Sequence, residues 1–382
     1  MYNSSTYKLA SPVTFRRSSS KILAEGSKKN IGWGGNIQNI EGSIRECYIP
    51  DGFHESLKEK CLYWLETWDT SVFSDEELGT INVFLQPDQS GAEGLVVAYD
   101  SRAADYRQLF IHGISPHVYV SLKLFRDIWK VKAREHNISI DDKSIDELYD
   151  TPVSLLKSNP AWHELNILIK MSDSWSTEER YYYFAKQTVH SFSYDIQWHT
   201  FIMNILEKSG GRVVIPPEEG KRFLQEVRGI FPEVPERNRR IDEQVRQTGM
   251  LYNIHGFPYI IWPDGNPPDS LLTDMKKYYA WLPQSSIAGI TEKAYYTLYD
   301  YIAKEKKQWD LLTDTHDSIL SQGLLHDTKE RAIKMTEAIT QDEFTSAIDG
   351  AKFRMKSETK VGFNWAGKSE KNNLGLRVYK FV

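Results

Sequence analysis

Residues Leu95–Arg107, LVVAYDSRAADYR, form the stretch that decides our prediction of the fold. The first five of them are apolar or aromatic, and a short run of this kind is typical of a buried β-strand. The strand would carry the carboxylate of Asp100, which follows directly, to the edge of the core. Ser101 suits the N-cap of a helix that begins there. A solvated aspartate that caps the helix would give the same pattern, so the stretch alone leaves the role of Asp100 open.

A second acid lies far downstream, in Trp309–Gln322, WDLLTDTHDSILSQ. Two strand-like runs flank the residues THDS (315–318), which predicts a tight β-hairpin with Asp317 at its tip. Two strand-end carboxylates from distant parts of a chain are what two-metal phosphoryl transfer requires. The reason is that each Mg²⁺ takes one or two protein carboxylates together with substrate phosphates. Asp100 and Asp317 are therefore the predicted catalytic pair.

The overall composition narrows the class of protein. With 382 residues, the chain can bury a large core and has room for about two or three subdomains. Its 40% hydrophobic and 26% charged residues are ordinary for a soluble globular protein. The formal net charge of −5 counts against a protein that coats nucleic acid, although it allows a local basic cleft.

The cysteines and the apolar runs bear on the location of the protein. Because the chain has 2 cysteines, neither a disulfide framework nor a Cys-based zinc site can be argued, and a reducing cytoplasm fits. No apolar run reaches the length of a membrane span, and the first residues, MYNSSTYKLAS, lack the apolar core of a signal peptide. We therefore expect a cytoplasmic protein without a membrane partner.

Residues 178–198, EERYYYFAKQTVHSFSYDIQW, predict the most informative helix of the chain. Lys186, His190 and Tyr194 are spaced at i, i+4 and i+8, so they share one face. Such a stripe suits a wall over a phosphorylated substrate, with the lysine on the phosphates and the aromatic rings against the sugar and base. On the residues alone, a solvated or interface stripe is the more frequent outcome.

These motifs resemble those of the family A (DNA polymerase I-like) DNA polymerases. DSRAADYR (100–107) resembles the first catalytic motif of the family, THDS (315–318) its third, and PQSSIAGI (283–290) the helix before that hairpin. KVGFNWAG (360–367) resembles its closing segment, which packs on the palm. The resemblance implies an α+β fold, in which a right-hand palm with an antiparallel sheet and packed helices is joined to mainly helical fingers.

The resemblance implies a two-metal active site. In it Asp100 and Asp317 would bridge two Mg²⁺ ions, which Mn²⁺ can replace, and the backbone carbonyl of Ser101 would add a ligand. One ion would activate the primer 3′-hydroxyl and the other would accompany the leaving pyrophosphate. His316, next to Asp317, would touch the primer terminus.

The resemblance also implies which residues bind the incoming nucleotide. In the helix over 178–198, Lys186 would contact the triphosphate, His190 would replace the Phe or Tyr at the sugar-sensing position, and Tyr194 would mark the template-side end. Tyr182 stands where the family has an arginine, for which Arg180 partly substitutes. Asp105 stands where the family has the glutamate that excludes the ribose 2′-hydroxyl. The full set of predicted nucleotide-binding residues is Lys186, His117, Arg180, His190, Tyr194 and Asp105.

Further contacts are implied with primer-template DNA. RRSSS (16–20) and NIQNI (36–40) resemble the segment that follows the minor groove of the duplex. The arginine of the family matches Arg16, with Arg17 as the register alternative. The predicted DNA-binding residues are Arg16, Arg17, Gln38, Asn39, Gln284 and His316.

The resemblance covers nearly the whole chain and implies how it is divided. Residues 1–125 are predicted to form the first part of the palm, with an insertion at about 51–94. Residues 126–275 would form the fingers and the following hairpin region, and 276–382 the second part of the palm with a C-terminal tail. The family places a thumb, and often an exonuclease, before RRSSS. We therefore expect the palm-and-fingers half of a split, phage-like polymerase that works with a separate chain; a truncated gene product is the alternative.

Three functions follow as alternatives. The first is the catalytic subunit of a DNA-directed DNA polymerase, which adds dNTPs to a primer 3′-hydroxyl. The second is a single-subunit RNA polymerase-like enzyme, which shares the palm and both aspartates; the acidic Asp105 favours deoxynucleotides instead. The third is a non-catalytic replication scaffold with a degenerate palm, against which the joint presence of Asp100, Asp317 and Lys186 argues.

Overall fold

The computed structural model describes residues 45, 48–261, 271–315 and 317–380. Five predicted DNA-binding residues lie outside the described residues: Arg16, Arg17, Gln38, Asn39 and His316. The described chain is α+β, as the sequence predicted.

The helices and strands alternate irregularly along the chain. The helices of four residues or more are α1 Lys58–Thr67, α2 Asp75–Leu78, α3 Ala92–Ser101, α4 Ala104–Ile111, α5 Pro116–Glu135, α6 Asp142–Asp150, α7 Val153–Leu156, α8 Pro160–Met171, α9 Tyr181–Ser193, α10 Trp198–Lys208, α11 Pro217–Ile230, α12 Glu233–Thr248, α13 Leu271–Glu305 and α14 Thr328–Thr340. The strands are β1 Asn82–Gln89, β2 Met250–Tyr252, β3 Pro258–Ile260, β4 Trp309–Thr315, β5 Ser318–Leu324, β6 Glu343–Thr345, β7 Lys352–Arg354, β8 Ser357–Gly362, β9 Asn364–Gly367 and β10 Gly375–Val378.

The described residues divide into two compact units. The first contains the residues up to Ala92, Gln284–Phe344 and the residues from Lys352 onward. The second contains Glu93–Pro283 and Thr345–Ala351. The domain boundaries predicted from the sequence were 125/126 and 275/276. The assignment of the predicted parts to a palm and to fingers stays a prediction.

A six-stranded sheet forms the centre of the first unit, in the order β4-β5-β1-β8-β10-β9. All neighbouring strands are antiparallel except β10 and β9. One face of the sheet packs against α14, where the buried Arg331 guanidinium donates to the carbonyl oxygen of Val83 over 2.8 Å. Residues 51–94, predicted as an insertion, supply β1, which lies between β5 and β8.

The other face of this sheet is apolar at one end and polar at the other. Phe84 forms a buried cluster with Leu320, Trp365 and Leu376. Residues two apart on a strand share a face, so Gln86 and Asp88 continue the side of β1 on which Phe84 lies. The apolar end anchors the sheet, and the polar end offers side chains for chemistry.

The second unit is mainly helical and holds the stretch that we predicted to be a strand over Leu95–Tyr99. That prediction is wrong, because these residues belong to helix α3. All five are buried, at most 7% exposed, and a helix buried on every side has a continuous apolar run, just as a buried strand does. Helices α3 and α4 pack closely at Gly94, where an added Cβ would lie 2.8 Å from the Tyr106 hydroxyl oxygen.

Two other local predictions, the helix over 178–198 and the THDS hairpin, are confirmed. The helix predicted over 178–198 is α9, and the hairpin around THDS is formed by β4 and β5. Helix α12 ends at Gly249, whose φ of 66° is the left-handed conformation that favours glycine at a helix end. Within the described residues, no helix combines the length and the apolar character that crossing a membrane requires.

Candidate functional sites

Asp317 lies in the tight turn between β4 and β5 in the first unit. Thr315 and Ser318 are cross-strand partners at the end of the hairpin, and their hydroxyl groups are hydrogen-bonded to each other. The backbone N–H of Gln89, on β1, donates to the carbonyl oxygen of Asp317 over 2.9 Å. The turn that carries Asp317 is therefore tied to the end of β1.

The carboxylate that β1 brings to this turn belongs to Asp88. Asp88 and Ser318 are directly opposite each other in the antiparallel pair of β1 and β5. Cross-strand partners share a face of the sheet, so the Asp88 side chain projects from the face that also carries Ser318. The side chain of Asp88 is 24% exposed and is therefore open to solvent and to an ion.

Asp100 has a different environment, in the second unit. It lies in α3, and its carboxylate accepts a hydrogen bond from the buried Arg237 guanidinium. Arg237 also donates to the carbonyl oxygen of Tyr279 over 3.1 Å, while Arg240 donates to the carbonyl oxygen of Asp100 over 2.6 Å. The strand end that motivated the choice of Asp100 is thus absent, and its carboxylate neutralises a buried arginine.

Ser101, the third predicted metal ligand, is also part of α3. Its side chain is buried and its hydroxyl donates to the carbonyl oxygen of Ala98 over 3.3 Å. The hydroxyl accepts the N–H of Ala103 in turn, also over 3.3 Å. These bonds of the hydroxyl fasten the turn between α3 and α4, and the role of the Ser101 backbone carbonyl stays a prediction.

A sequence signal for Asp88 existed. The strand-like run INVFLQ (81–86) precedes it, and the next acid, Glu93, follows at the same spacing that separates Asp100 from Asp105. Pro87 weakens this signal, because proline inside a run argues against a central strand. In the structure, the pairing of β1 with β5 skips residues 86 and 87. The Gln86 side-chain amide instead donates to the Ser318 hydroxyl over 2.6 Å and closes that gap.

Lys360, on β8, is a further residue that sequence reasoning missed. Its ammonium group forms an ion pair with the Asp88 carboxylate. Gln86 is its cross-strand partner, and Glu358, two residues earlier on β8, is the partner of Asp88. Lys360 belongs to KVGFNWAG, a segment for which the sequence had indicated only packing.

The helix α9 of the second unit brings together several predicted nucleotide-binding residues. Lys186 is exposed and forms no hydrogen bond or ion pair with any described residue. The rings of His190 and His117 lie 5.7 Å apart, and Tyr182 packs edge-on against His117 at 5.9 Å. His117 occupies the first turn of α5, directly after Pro116, and proline is favoured at this first helical position.

Electrostatics favour neutral imidazoles in this cluster. Burial, together with the neighbouring His190 and Lys186, lowers the pKa of His117 to about 3. Burial likewise lowers the pKa of His190, with Lys186 adding to the effect and Glu93 opposing it. Near neutral pH, both rings therefore offer one N–H donor each, and the positive charge of the cluster is that of Lys186.

Tyr194 ends this helix and contacts an acid that the sequence analysis had not chosen. Its hydroxyl donates to the carboxylate of Glu93, in the first turn of α3. Burial raises the pKa of Tyr194 well above its ordinary value, and the charge of Glu93 adds to the effect. Glu93 and Tyr194 thus form a fixed pair of a carboxylate and a phenol beside the helix that carries Lys186.

Asp105 and Arg180 lie apart from that pair. Asp105 borders a cavity of about 430 Å³, together with Tyr119, Lys123, Tyr149, Glu226, Gly229 and Ile230. Arg180 precedes α9, where its guanidinium forms an ion pair with Asp173 at 2.7 Å and lies over the ring of Tyr183. Gln284 follows Pro283 within α13 and is half-buried.

The donors around the turn suit a hard divalent cation. Asp88 and Asp317 supply carboxylate oxygens, which Mg²⁺ prefers, and such sites commonly use two protein carboxylates with water and substrate phosphates completing the shell. In the described part of the chain, no group of three or more His, Cys, Asp or Glu side chains forms a closed cage for a metal.

Comparisons with known proteins bear on the fold. Neither a protein-family model nor a curated protein matches this sequence. Among solved structures, the chain is similar to the POL domain of Pol1 from M. smegmatis, in complex with a DNA primer-template and dNTP. The TM-score is 0.52 and the identity 16%, and the match covers 87% of this chain and 44% of that chain. The chain thus has a polymerase fold and spans less than half the length of this neighbour.

Proposed function

We propose that this chain is the catalytic part of a DNA-directed DNA polymerase, which adds dNTPs to the 3′-hydroxyl of a primer paired with a template. The observation that carries the proposal is the placement of Asp88 beside the Asp317 turn in a sheet of polymerase fold. Primer-template DNA and dNTPs are the proposed partners, as they are bound in the structural neighbour.

The catalytic acids of this proposal are Asp88 and Asp317. They would hold two Mg²⁺ ions, which activate the attacking hydroxyl and neutralise the charge that develops on the leaving pyrophosphate. Asp88 lies on β1 and Asp317 in the β4–β5 turn, and β1 is hydrogen-bonded to that hairpin. We propose Asp88 for the role that the sequence predicted for Asp100, because Asp88 pairs with Ser318, next to Asp317, whereas the Asp100 carboxylate is the counter-ion of the buried Arg237.

The proposed nucleotide contacts come from α9 and its neighbours. The exposed ammonium group of Lys186 would neutralise the triphosphate, and the neutral imidazole of His117 would donate a hydrogen bond to it. His190 would lie against the sugar. Glu93, held by Tyr194, is the acid that we propose for exclusion of the ribose 2′-hydroxyl, in place of Asp105.

Primer extension by the purified chain tests the proposal. We expect Asp88→Asn and Asp317→Asn each to lower the rate by about 10³-fold or more, since each removes a charge that the transition state requires. Asp342→Asn is the matched control, because Asp342 forms a surface ion pair with Lys293 at 2.7 Å in the same unit. If both single variants, Asp88→Asn and Asp317→Asn, extend a primer as the wild type does, the assignment of these two residues as catalytic acids is refuted.

The same assay separates the remaining alternatives. Preference for NTPs over dNTPs would indicate an RNA polymerase-like enzyme. Absence of extension by the wild-type chain, with and without an added thumb-bearing polypeptide, would favour a non-catalytic scaffold. This proposal also includes membership of family A, a phage-like origin, and a separate chain that supplies a thumb and exonuclease. Long primer extension by the chain alone would contradict the need for a separate chain.

A further inference from the structure

Lys360 places a positive charge next to a proposed metal ligand, where it would repel a bound metal ion. Its ammonium group is ion-paired with the carboxylate of Asp88, an acid that we propose to hold Mg²⁺. The side chains of Lys360 and Asp88 are 33% and 24% exposed, so solvent screens the pair only in part. An ammonium group and a divalent cation are alternative partners for the same carboxylate oxygens.

The backbone holds Lys360 near Asp88, while the side chain remains able to move. Strand β8 is hydrogen-bonded to β1, and its register sets Lys360 opposite Gln86 and Thr359 opposite Pro87. The lysine stem has four flexible carbons, so the ammonium can leave the carboxylate without any change in the sheet. Gln86, opposite Lys360, donates its hydrogen bond to Ser318, and the Lys360 ammonium group reaches diagonally to Asp88, two residues further along β1.

We propose that Lys360 is a built-in competitor for the metal at Asp88. Without metal, its ammonium group neutralises the carboxylate; a divalent cation must displace it and then experiences its positive charge. The chain therefore binds Mg²⁺ and Mn²⁺ more weakly than its two carboxylates alone would allow. This inference rests on the proposed function, because it takes Asp88 to be a metal ligand.

Metal binding by the full chain, without DNA or nucleotide, tests the inference. Mn²⁺ is the probe, and its free concentration is measured by electron paramagnetic resonance during titration. We expect Lys360→Met to lower the Kd for Mn²⁺ by at least about tenfold, because a unit charge a few ångströms from a divalent cation is removed. Methionine keeps an apolar stem of similar length, so packing along β8 is preserved.

Two further variants complete the design. Lys352→Met removes a lysine from a surface ion pair with Glu343, at 2.7 Å in the same unit, and should leave the Kd unchanged. Lys360→Arg retains the charge and should bind Mn²⁺ as the wild type does. Unchanged or weaker Mn²⁺ binding by a folded Lys360→Met chain, as judged by its thermal unfolding, would overturn the inference.

Asp88→Asn separates this inference from the proposed function. If Asp88→Asn loses both Mn²⁺ binding and primer extension while Lys360→Met binds as the wild type does, only the competitor role fails. If Asp88→Asn retains both, the assignment of Asp88 as a metal ligand fails, and the inference about Lys360 fails with it.

Discussion

Asp88 and Ser318 face each other across two antiparallel strands, and the N–H of the residue after Asp88 donates to the carbonyl oxygen of Asp317. The backbone positions of Asp88 and Asp317 are therefore set by hydrogen bonds between β1 and the hairpin that carries Asp317. Such a support suits catalysis by charge placement, because little reorganisation is needed when a charged substrate arrives.

The bond between Gln86 and Ser318 should stabilise this junction. It spans 2.6 Å and bridges the part of the β1–β5 pairing that Pro87 interrupts. We expect Gln86→Ala to lower the free energy of unfolding by about 1 kcal/mol, which is typical of one neutral hydrogen bond. Urea denaturation measures this change, and Gln244→Ala, which removes an exposed bond to the Met250 carbonyl, is the control. Equal effects of both substitutions would contradict the role of Gln86.

Asp100 should matter for stability because it neutralises Arg237, whose side chain is 1% exposed. Asp100→Ala leaves that guanidinium buried without its counter-ion, and we expect a loss of about 3–5 kcal/mol in the free energy of unfolding. The double variant Asp100→Ala with Arg237→Met should recover part of the loss, since the unpaired charge is gone. Chemical denaturation of the single and double variants gives the coupling between the two residues.

A surface ion pair provides the comparison for this cycle. Arg134 and Asp142 are 3.6 Å apart and both largely exposed, so Asp142→Ala should cost no more than about 1 kcal/mol. If Asp100→Ala lowers the free energy of unfolding no more than Asp142→Ala does, the ion pair of Asp100 with Arg237 does not stabilise the fold as expected.

The local parts of the site could be predicted from the sequence. The THDS hairpin has a two-residue loop between strand-like runs, and the stripe of Lys186 and His190 follows from helical spacing. Both signals lie within about twenty residues, so no knowledge of the rest of the chain is required.

The partner of Asp317 could not be predicted in the same way. Residues 86 and 318 are in contact in the sheet although they are 232 positions apart in the sequence. The position of β1 between β5 and β8 depends on the tertiary fold and has no local sequence signal. The run Leu95–Tyr99 has the composition of a buried strand, yet packing in the second unit makes it a helix. Pro87 also weakens the sequence signal for β1, because a proline argues against a central strand.

The burial of His117 predicts a particular dependence of stability on pH. Its folded pKa is lowered to about 3, whereas an unfolded histidine titrates near 6.5. Between these values the unfolded chain binds the extra proton, so the stabilisation present above pH of about 6.5 is lost progressively as the pH falls. We expect His117→Asn to remove up to about 2 kcal/mol of the difference in unfolding free energy between pH 7.5 and 5.

Two measurements check this prediction. Urea denaturation at both pH values gives the difference for the wild type and for His117→Asn, with His54→Asn as an exposed control. An NMR titration of the imidazole protons should show that His117 stays neutral at pH 5. A normal titration near 6.5 would show that the ring is not buried in solution.

The pair of Glu93 and Tyr194 predicts where the sugar of the nucleotide is selected. Glu93→Ala removes the carboxylate that Tyr194 holds, and the space it leaves can admit a ribose 2′-hydroxyl. We expect the ratio of kcat/KM for dNTP over NTP to fall by about 10²-fold in Glu93→Ala, the size of discrimination that a single side chain commonly supplies. Steady-state primer extension with both nucleotides measures the ratio. Asp105→Ala is the opposing test: if that variant relaxes the ratio while Glu93→Ala does not, selection belongs to the cavity beside Tyr119 and Lys123.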